Sequence, residues 1–287
     1  MERKRRVATW AGAAIGIALV VMLNVALAHA WDEDSEGVRE EFHQTYPLAA
    51  NGRIELENIN GSVHISVWDQ NQVKLDAVKH ARDEKRLKNI EIQVNARPES
   101  LSISTQYRES DDDWHGENNP GSVEYTLTVP RNARLDEIKL INGALDVTGV
   151  TGEVRASCIN GKLTARGLSG RAKLETINGT LNAEFGQVAS PIDLSSVNGS
   201  LHLTLPSDTK ASIEASTIHG GIDNDFGLHT NNHHWVGHDM RGELGGGGTE
   251  ITLHNVNGSI DLRHAGDGRA MSPAKDTGER SSNDDEI

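Results

Sequence analysis

Four histidines fall within ten residues of one another: His229, His233, His234 and His238, with Asp239 beside the last. Imidazoles and a carboxylate in one loop are a donor set for Zn²⁺ or Cu²⁺. The stretch has neither a Cys-x-x-Cys pair nor a His-Glu-x-x-His helix, and nothing in the sequence fixes the imidazole tautomers. It reads as a polar, histidine-rich loop, and no metal ligand is assigned. Carboxylates are the second candidates, because glycoside cleavage uses two acids at a set separation with displaced pKa values. Asp146, Glu153, Glu175, Glu184 and Asp193 are available, but acids scattered over a chain of net charge −14 do not make such a pair. Trp68, Trp114 and Trp235 could stack on sugars, and each reads equally well as a loop anchor.

The remaining chemical signals are weaker. Asp111-Asp112-Asp113 lacks the alternating ligand order of a calcium loop. The glycine run Gly245–Gly248 is followed by Thr249-Glu250 and has no lysine, which excludes a phosphate loop. Cys158, the single cysteine, forms no intrachain disulfide and lies in the strand-like run Val154–Cys158, where it reads as a small buried residue. No nucleophile elbow surrounds any serine. No catalytic residue and no cofactor site is assigned, and the chain does not read as an enzyme. The acidity also disfavours binding to nucleic acid or anionic lipid, which requires clustered Lys and Arg.

What the sequence does repeat is a turn. An aliphatic residue, Asn, Gly, one further residue and a second aliphatic recur as Ile59–Val63, Ile141–Leu145, Ile159–Leu163, Ile177–Leu181, Val197–Leu201 and Val256–Ile260, with Ile218–Ile222 carrying His219 in place of Asn. The structural turn residues are thus Asn60-Gly61, Asn142-Gly143, Asn160-Gly161, Asn178-Gly179, Asn198-Gly199 and Asn257-Gly258. Asn142, Asn160, Asn178 and Asn198 are separated by 18, 18 and 20 residues, His219 follows after 21, and Asn257 stands about two periods beyond that. A fixed period near twenty marks one supersecondary unit stacked on its copies.

Within each unit Gly143, Gly152, Gly161, Gly170 and Gly179 are nine apart, so a unit is two turn-plus-strand halves. Leu145/Val147, Val154/Ala156, Leu163/Ala165, Ala172/Leu174 and Leu181/Ala183 are the inward candidates. Asp146, Arg155, Thr164, Lys173 and Asn182 are the outward ones. An odd repeat must break strand parity once per half, which glycine corners permit.

Around this repeat, Met1–Arg6 is basic and Val7–Leu27 is free of charge. Ala28-His29-Ala30 has the small-x-small form of a cleavage site, so residues 1–30 read as a signal peptide or, if uncleaved, an N-terminal membrane anchor. Residues 31–45 read as an acidic lead-in, 46–264 as a repeat domain (46–135 irregular coils, 136–264 regular coils with a loop at 226–248) and 265–287 as a disordered polar tail. Arg82–Lys88 fits one helical turn.

Two all-β architectures satisfy the pattern. One is a single-stranded parallel β-helix, a β-solenoid with coils of about 18–21 residues. The other is an antiparallel meander in which Asn-Gly forms type I′ hairpins. The solenoid better explains why one turn returns at every second strand and why the inward residues are small.

Three pieces resemble a family of bacterial exported putative adhesins with β-strand repeats, a family of unknown function related to head-domain adhesin modules. They are the opening Asn51–Asp69, the run of Ile-Asn-Gly coils, and the closing Gly242–Ile260, together framing about Phe42 to Arg263. The resemblance implies a single-stranded β-helix in the cell envelope and supplies no catalytic residues.

The functional expectation is an exported, noncatalytic envelope protein. It would present a repetitive polar surface to an envelope protein or polysaccharide and would meet a membrane only through its N-terminal segment. The alternatives are an inner-membrane-anchored periplasmic scaffold or sensor and, more weakly, a polysaccharide-active enzyme.

Overall fold

The computed structural model describes residues 37–108, 121–232 and 237–277. The N-terminal part contains β1 (Val38–Pro47), β2 (Arg53–Asn60), β3 (Val63–Trp68), β4 (Gln72–Ala81), the helix α1 (Glu84–Asn89), β5 (Ile90–Arg97), β6 (Ser100–Tyr107) and β7 (Ser122–Pro130). Regular coils of two strands follow: β8 (Arg134–Asn142) with β9 (Leu145–Thr148), β10 (Val154–Asn160) with β11 (Leu163–Leu168), β12 (Ala172–Asn178) with β13 (Leu181–Phe185), and β14 (Ile192–Asn198) with β15 (Leu201–Leu205). The chain continues through β16 (Ala211–His219), β17 (Ile222–Asn224), β18 (Thr230–Asn232), β19 (His238–Leu244), β20 (Thr249–Asn257), β21 (Ile260–His264) and β22 (Ala274–Asp276).

Each coil gives one strand to a ten-stranded sheet and one to a twelve-stranded sheet, and the strands of successive coils pair in parallel. The protein is a parallel β-solenoid. A type I′ hairpin needs positive φ at both central residues. Among the described residues no residue other than glycine has positive φ, so the asparagines are not in that turn. All ten inward candidates, Leu145 through Ala183, are buried between the sheets. Thr164, expected to face solvent, lies on the outer side of its sheet but is 2% exposed. Its short side chain stands in register between the longer Asp146 and Asn182, which shade it.

The spatial order of the coils departs from sequence order at both ends. β20–β21 inserts between β14–β15 and β16–β17, so Asn257 stacks directly on Asn198 and His219 lies beyond it. At the other end β2–β3 lies between β6–β7 and β8–β9. In each case the chain overshoots, adds antiparallel strands, and returns into a gap it had left. Consecutive elements are usually spatial neighbours, so a periodicity count places the last coil wrongly.

Three segments thought to be irregular are built into the sheets. Residues 38–47 of the acidic lead-in form β1, antiparallel to β4, with Val38, Phe42 and Tyr46 packed on the core. Glu40 and Gln44 interrupt that apolar face, which hid the alternation. The loop at 226–248 contains β18 and β19, the latter antiparallel to β16, and buries Phe226, Leu228, Met240 and Leu244. Within the supposed tail, β22 pairs antiparallel with β19, and Ser272 N–H donates to the Ser207 carbonyl at 2.8 Å. This pairing is a backbone interaction and leaves no apolar signature. The helical turn does form as α1: the Asp83 side chain caps it by accepting from Arg86 N–H at 2.8 Å, and Leu87 is buried. Among the described residues no helix is long and apolar enough to cross a membrane, and residues 1–36 lie outside them.

Candidate interaction surface

At the Asn-Gly corner the backbone ladder runs on without a break. Gly161 N–H donates to Asn178 C=O at 3.0 Å, and Leu163 N–H to Thr180 C=O at 3.0 Å, with the same pair of bonds on neighbouring rungs. Adjacent rungs come so close that a Cβ on Gly161 would overlap the Gly143 carbonyl oxygen. The asparagine side chains stack outside this corner as an amide ladder. Asn142 Nδ2 donates to Asn60 Oδ1 at 2.9 Å, Asn160 to Asn142 at 2.9 Å, Asn178 to Asn160 at 2.8 Å, Asn198 to Asn178 at 2.9 Å and Asn257 to Asn198 at 2.8 Å. All twelve turn residues assigned from sequence lie here.

Two residues before the corner Asn or His, an inward side chain donates to a corner carbonyl on five of the seven rungs; Leu140 is aliphatic, and the buried Thr176 hydroxyl finds no partner among the described residues. Asn58 Nδ2 donates to Val123 C=O at 2.8 Å and Gly61 C=O at 3.0 Å, Cys158 Sγ–H to Gly143 C=O at 3.3 Å, Asn255 Nδ2 to Gly199 C=O at 2.9 Å and Thr217 Oγ1–H to Gly258 C=O at 3.1 Å. A buried carbonyl without a partner costs free energy, which explains polar residues in an otherwise aliphatic interior. Cys158 is therefore a corner donor. Burial raises its thiol pKa, which opposes thiolate chemistry. At the first rung the network extends: Thr105 Oγ1 donates to Asn58 Oδ1 at 2.9 Å and sits 2.8 Å from the Tyr125 hydroxyl. Burial pushes the Tyr125 phenol up to about 12.

The outer face of the ten-stranded sheet carries the most continuous polar feature. The register aligns one outward residue per strand: His43, Asp76, Thr126, His64, Asp146, Thr164, Asn182, His202, Asp261 and Asp223. At a strand spacing of about 4.8 Å the row is roughly 43 Å long. Every member has a hydrogen-bonding side chain. Histidine meets aspartate three times, with His43 Nδ1 2.8 Å from Asp76, His64 Nδ1 3.2 Å from Asp146 and His202 Nδ1 3.0 Å from Asp261. Hydrogen bonds to Asp76 and Glu41 raise the His43 pKa above its ordinary value. Partial burial pushes the Asp76 carboxyl up, but hydrogen bonds from Lys74 and His43 outweigh it and the net shift is downward. At the far end Arg263 binds Asp223 at 2.7 Å, Asp225 at 2.8 Å and Asp261 at 3.2 Å, and it holds the Asp225 carboxyl below its usual range.

The twelve-stranded sheet presents charges that neutralise one another. Glu153 lies 2.6 Å from Arg155 and 3.5 Å from Arg134, and Lys173 lies 3.1 Å from Glu175 and 3.8 Å from Asp193. The candidate acids are thus split between two outer faces. Asp146 and Glu184 are on the ten-stranded sheet, while Glu175 and Asp193 share one lysine on the other. Ser216 Oγ lies 2.8 Å from His254 Nδ1 with Asp239 in register on its other side, so the hydroxyl separates imidazole and acid. A catalytic triad needs the imidazole in the middle.

Of the histidine cluster, His233 and His234 lie outside the described residues. His238 heads β19, and His229 backbone N–H donates to Asp276 at 2.8 Å. Among the described residues no three His, Cys, Asp or Glu side chains converge on a possible metal position. Trp68 Nε1–H donates to Gln72 C=O at 2.7 Å and anchors the β3–β4 turn. Trp114, Trp235 and Asp111–Asp113 lie outside the described residues. Sequence reasoning missed the inner donors and the polar row, because both exist only once strands distant in sequence are in register.

The coils from β8 to β21 carry a likeness to a known family. Residues 137–263 match the Toastrack DUF4097 family. The Toastrack match covers every regular coil and the inserted last one, and it stops short of the antiparallel N-terminal end. No curated protein matches the chain. Among solved structures, the chain is similar to a putative cell adhesion protein from Clostridium sporogenes at 13% identity, with 80% of this chain and 100% of that one covered and a TM-score of 0.48. It is also similar to a putative adhesin from Bacteroides fragilis at 12% identity, with 78% and 96% covered and a TM-score of 0.37.

Proposed function

We propose that this protein is an exported, noncatalytic envelope protein whose ten-stranded face binds an extended polysaccharide. The observation that carries the reading is the row from His43 to Asp223, with one hydrogen-bonding side chain per strand on an in-register sheet, of which all but the shaded Thr164 reach the surface. A polymer of hydroxylated rings offers alternating donors and acceptors along its length, and such a row can meet them at many points. The row offers hydrogen bonds and no Phe, Tyr or Trp ring, so each contact along it is weak. Affinity then comes from many modest hydrogen bonds. The basic leader and uncharged run of residues 1–30 support export. If that run is retained, the same solenoid becomes a periplasmic scaffold tethered at the inner membrane.

The test is a glycan array probed with the full chain, followed by calorimetry on any hit. The double substitution Asn182→Ala and His202→Ala should weaken binding at least tenfold without moving the melting temperature by more than a few degrees. Absence of binding to every envelope polysaccharide, or a hit indifferent to these changes, overturns the reading.

A further inference from the structure

Seven large hydrophobic side chains are exposed among the described residues, and six of them stand in one column: Ile59, Ile141, Ile159, Ile177, Val197 and Ile218, each 38–45% exposed. The column lies immediately before the Asn ladder, on the twelve-stranded side of the corner, and Val256 completes it between Val197 and Ile218. Single exposed aliphatics are ordinary. A continuous stripe of β-branched ones is not, and it marks an interaction surface. The stripe is also depleted of charge. Across the four corner columns (aliphatic, Asn, Gly and the residue after Gly) Lys162 is the single charged side chain over seven rungs, in a chain of net charge −14. Loss of charge at the centre is the compositional mark of an interface core.

We propose that this corner is a self-association surface, on which two copies of the chain pack edge to edge. Two observations choose the occupant. The stripe repeats at the strand spacing of about 4.8 Å for seven rungs, about 29 Å in all. A second copy has the same spacing by construction and stays in register along the whole stripe, with aliphatic ridges interdigitating as in a dry zipper. Copies of an acidic protein also repel each other over the rest of the surface, which leaves the uncharged corner as the stripe where two can meet. Four columns span roughly 10 Å, so each copy contributes on the order of 300 Å², well below the roughly 800 Å² per partner of a standard stable interface. The contact is therefore weak and forms at high local concentration, and the two-fold arrangement closes it at a dimer. The proposal is independent of polysaccharide binding, which uses the other sheet.

The experiment is disulfide trapping in the full chain, exported from a bacterial host. Ile177→Cys places a thiol at the centre of the stripe, and Glu184→Cys places an exposed thiol on the ten-stranded face as control. Cys158 is buried and stays silent. Ile177→Cys should give at least ten times more disulfide-linked dimer than Glu184→Cys, and adding Val197→Asp should remove that excess while the melting temperature holds. Equal crosslinking at the two positions overturns the proposal. So does capture of a different protein by Ile177→Cys, or a dimer indifferent to Val197→Asp.

Discussion

The two corners of each coil obey different rules. At the Asn-Gly corner two residues separate the strands in every coil, from Asn60/Val63 through Asn142/Leu145, Asn160/Leu163, Asn178/Leu181 and Asn198/Leu201 to His219/Ile222 and Asn257/Ile260. At the opposite corner the connection runs from Gly149 to Glu153, from Ser169 to Arg171, from Gly186 to Pro191 and from Pro206 to Lys210. The first corner is fixed by backbone bonds between rungs, by the amide ladder outside and by the polar donors inside. The second keeps fewer such bonds and absorbs the drift of the period from 18 to 21. Backbone packs on backbone at Gly152 and Gly170 of the second corner too, but the connection length varies there, and sequence constancy follows the corner where this packing joins a fixed two-residue turn.

The largest expected effect comes from changing chain length at each corner. One residue inserted between Asn160 and Gly161 shifts the register by one and sends Leu163 and Ala165 to the outer face. This variant should fail to give a cooperative melt by circular dichroism. Two glycines inserted after Gln187, in the Gly186–Pro191 connection, should move the melting temperature by only about 2 °C, because lengthening an existing loop costs little. If both insertions are tolerated alike, the distinction between the corners is wrong.

Next comes a matched pair of substitutions. Gly161 has φ +154° and its added Cβ would meet the Gly143 carbonyl, whereas nothing lies within 4 Å of a Cβ on Gly186. Gly161→Ala should cost on the order of 3 kcal/mol or more, about 10 °C in a domain of this size. Gly186→Ala should lie within about 0.5 kcal/mol of the parent.

This asymmetry also explains what was legible in the sequence. Leu163, Ala165, Leu174 and the Asn-Gly turns were readable because their roles are local: strand alternation and a turn that needs glycine. The placement of Asn257 against Asn198 was not, since it depends on the chain returning to a rung laid down 59 residues earlier. β1 and β22 were hidden for a related reason. Their pairing is by backbone, and Glu40 or Lys275 can occupy such a strand without revealing it. Thr164 was assigned outward correctly in parity but wrongly in exposure, because neighbours from other coils cover it. The row on the ten-stranded face joins residues as far apart as His43 and Asp261, and no linear pattern announces it.

Asn58→Ala tests the inner side of the constant corner. It removes donors to the Val123 and Gly61 carbonyls and the acceptor for Thr105; the bonds to Val123 and Thr105 are buried and the one to Gly61 is partly so. A loss of about 2–3 kcal/mol in urea denaturation is expected, because unsatisfied buried groups pay their desolvation penalty. A cost under about 1 kcal/mol would mean that the corner carbonyls do not depend on this donor.

The smallest effect tests the outer ladder. Asn178 donates to Asn160 and accepts from Asn198, and both bonds are solvent-exposed. Water competes for the same groups, so each bond contributes little, and Asn178→Ala should cost about 1 kcal/mol in total. Asn178→Asp separates hydrogen bonding from geometry: it keeps the acceptor for Asn198 and, when ionised, lacks the donor to Asn160. If the ladder stabilises through its bonds, Asp should fall between Asn and Ala at low pH, where a neutral acid can still donate, and below Ala at neutral pH, where its charge faces the Asn160 oxygen. Equal stability of Asp and Ala at both pH values would assign the constancy of this column to the glycine beside it, and the amide ladder would be a consequence of the corner and not a cause.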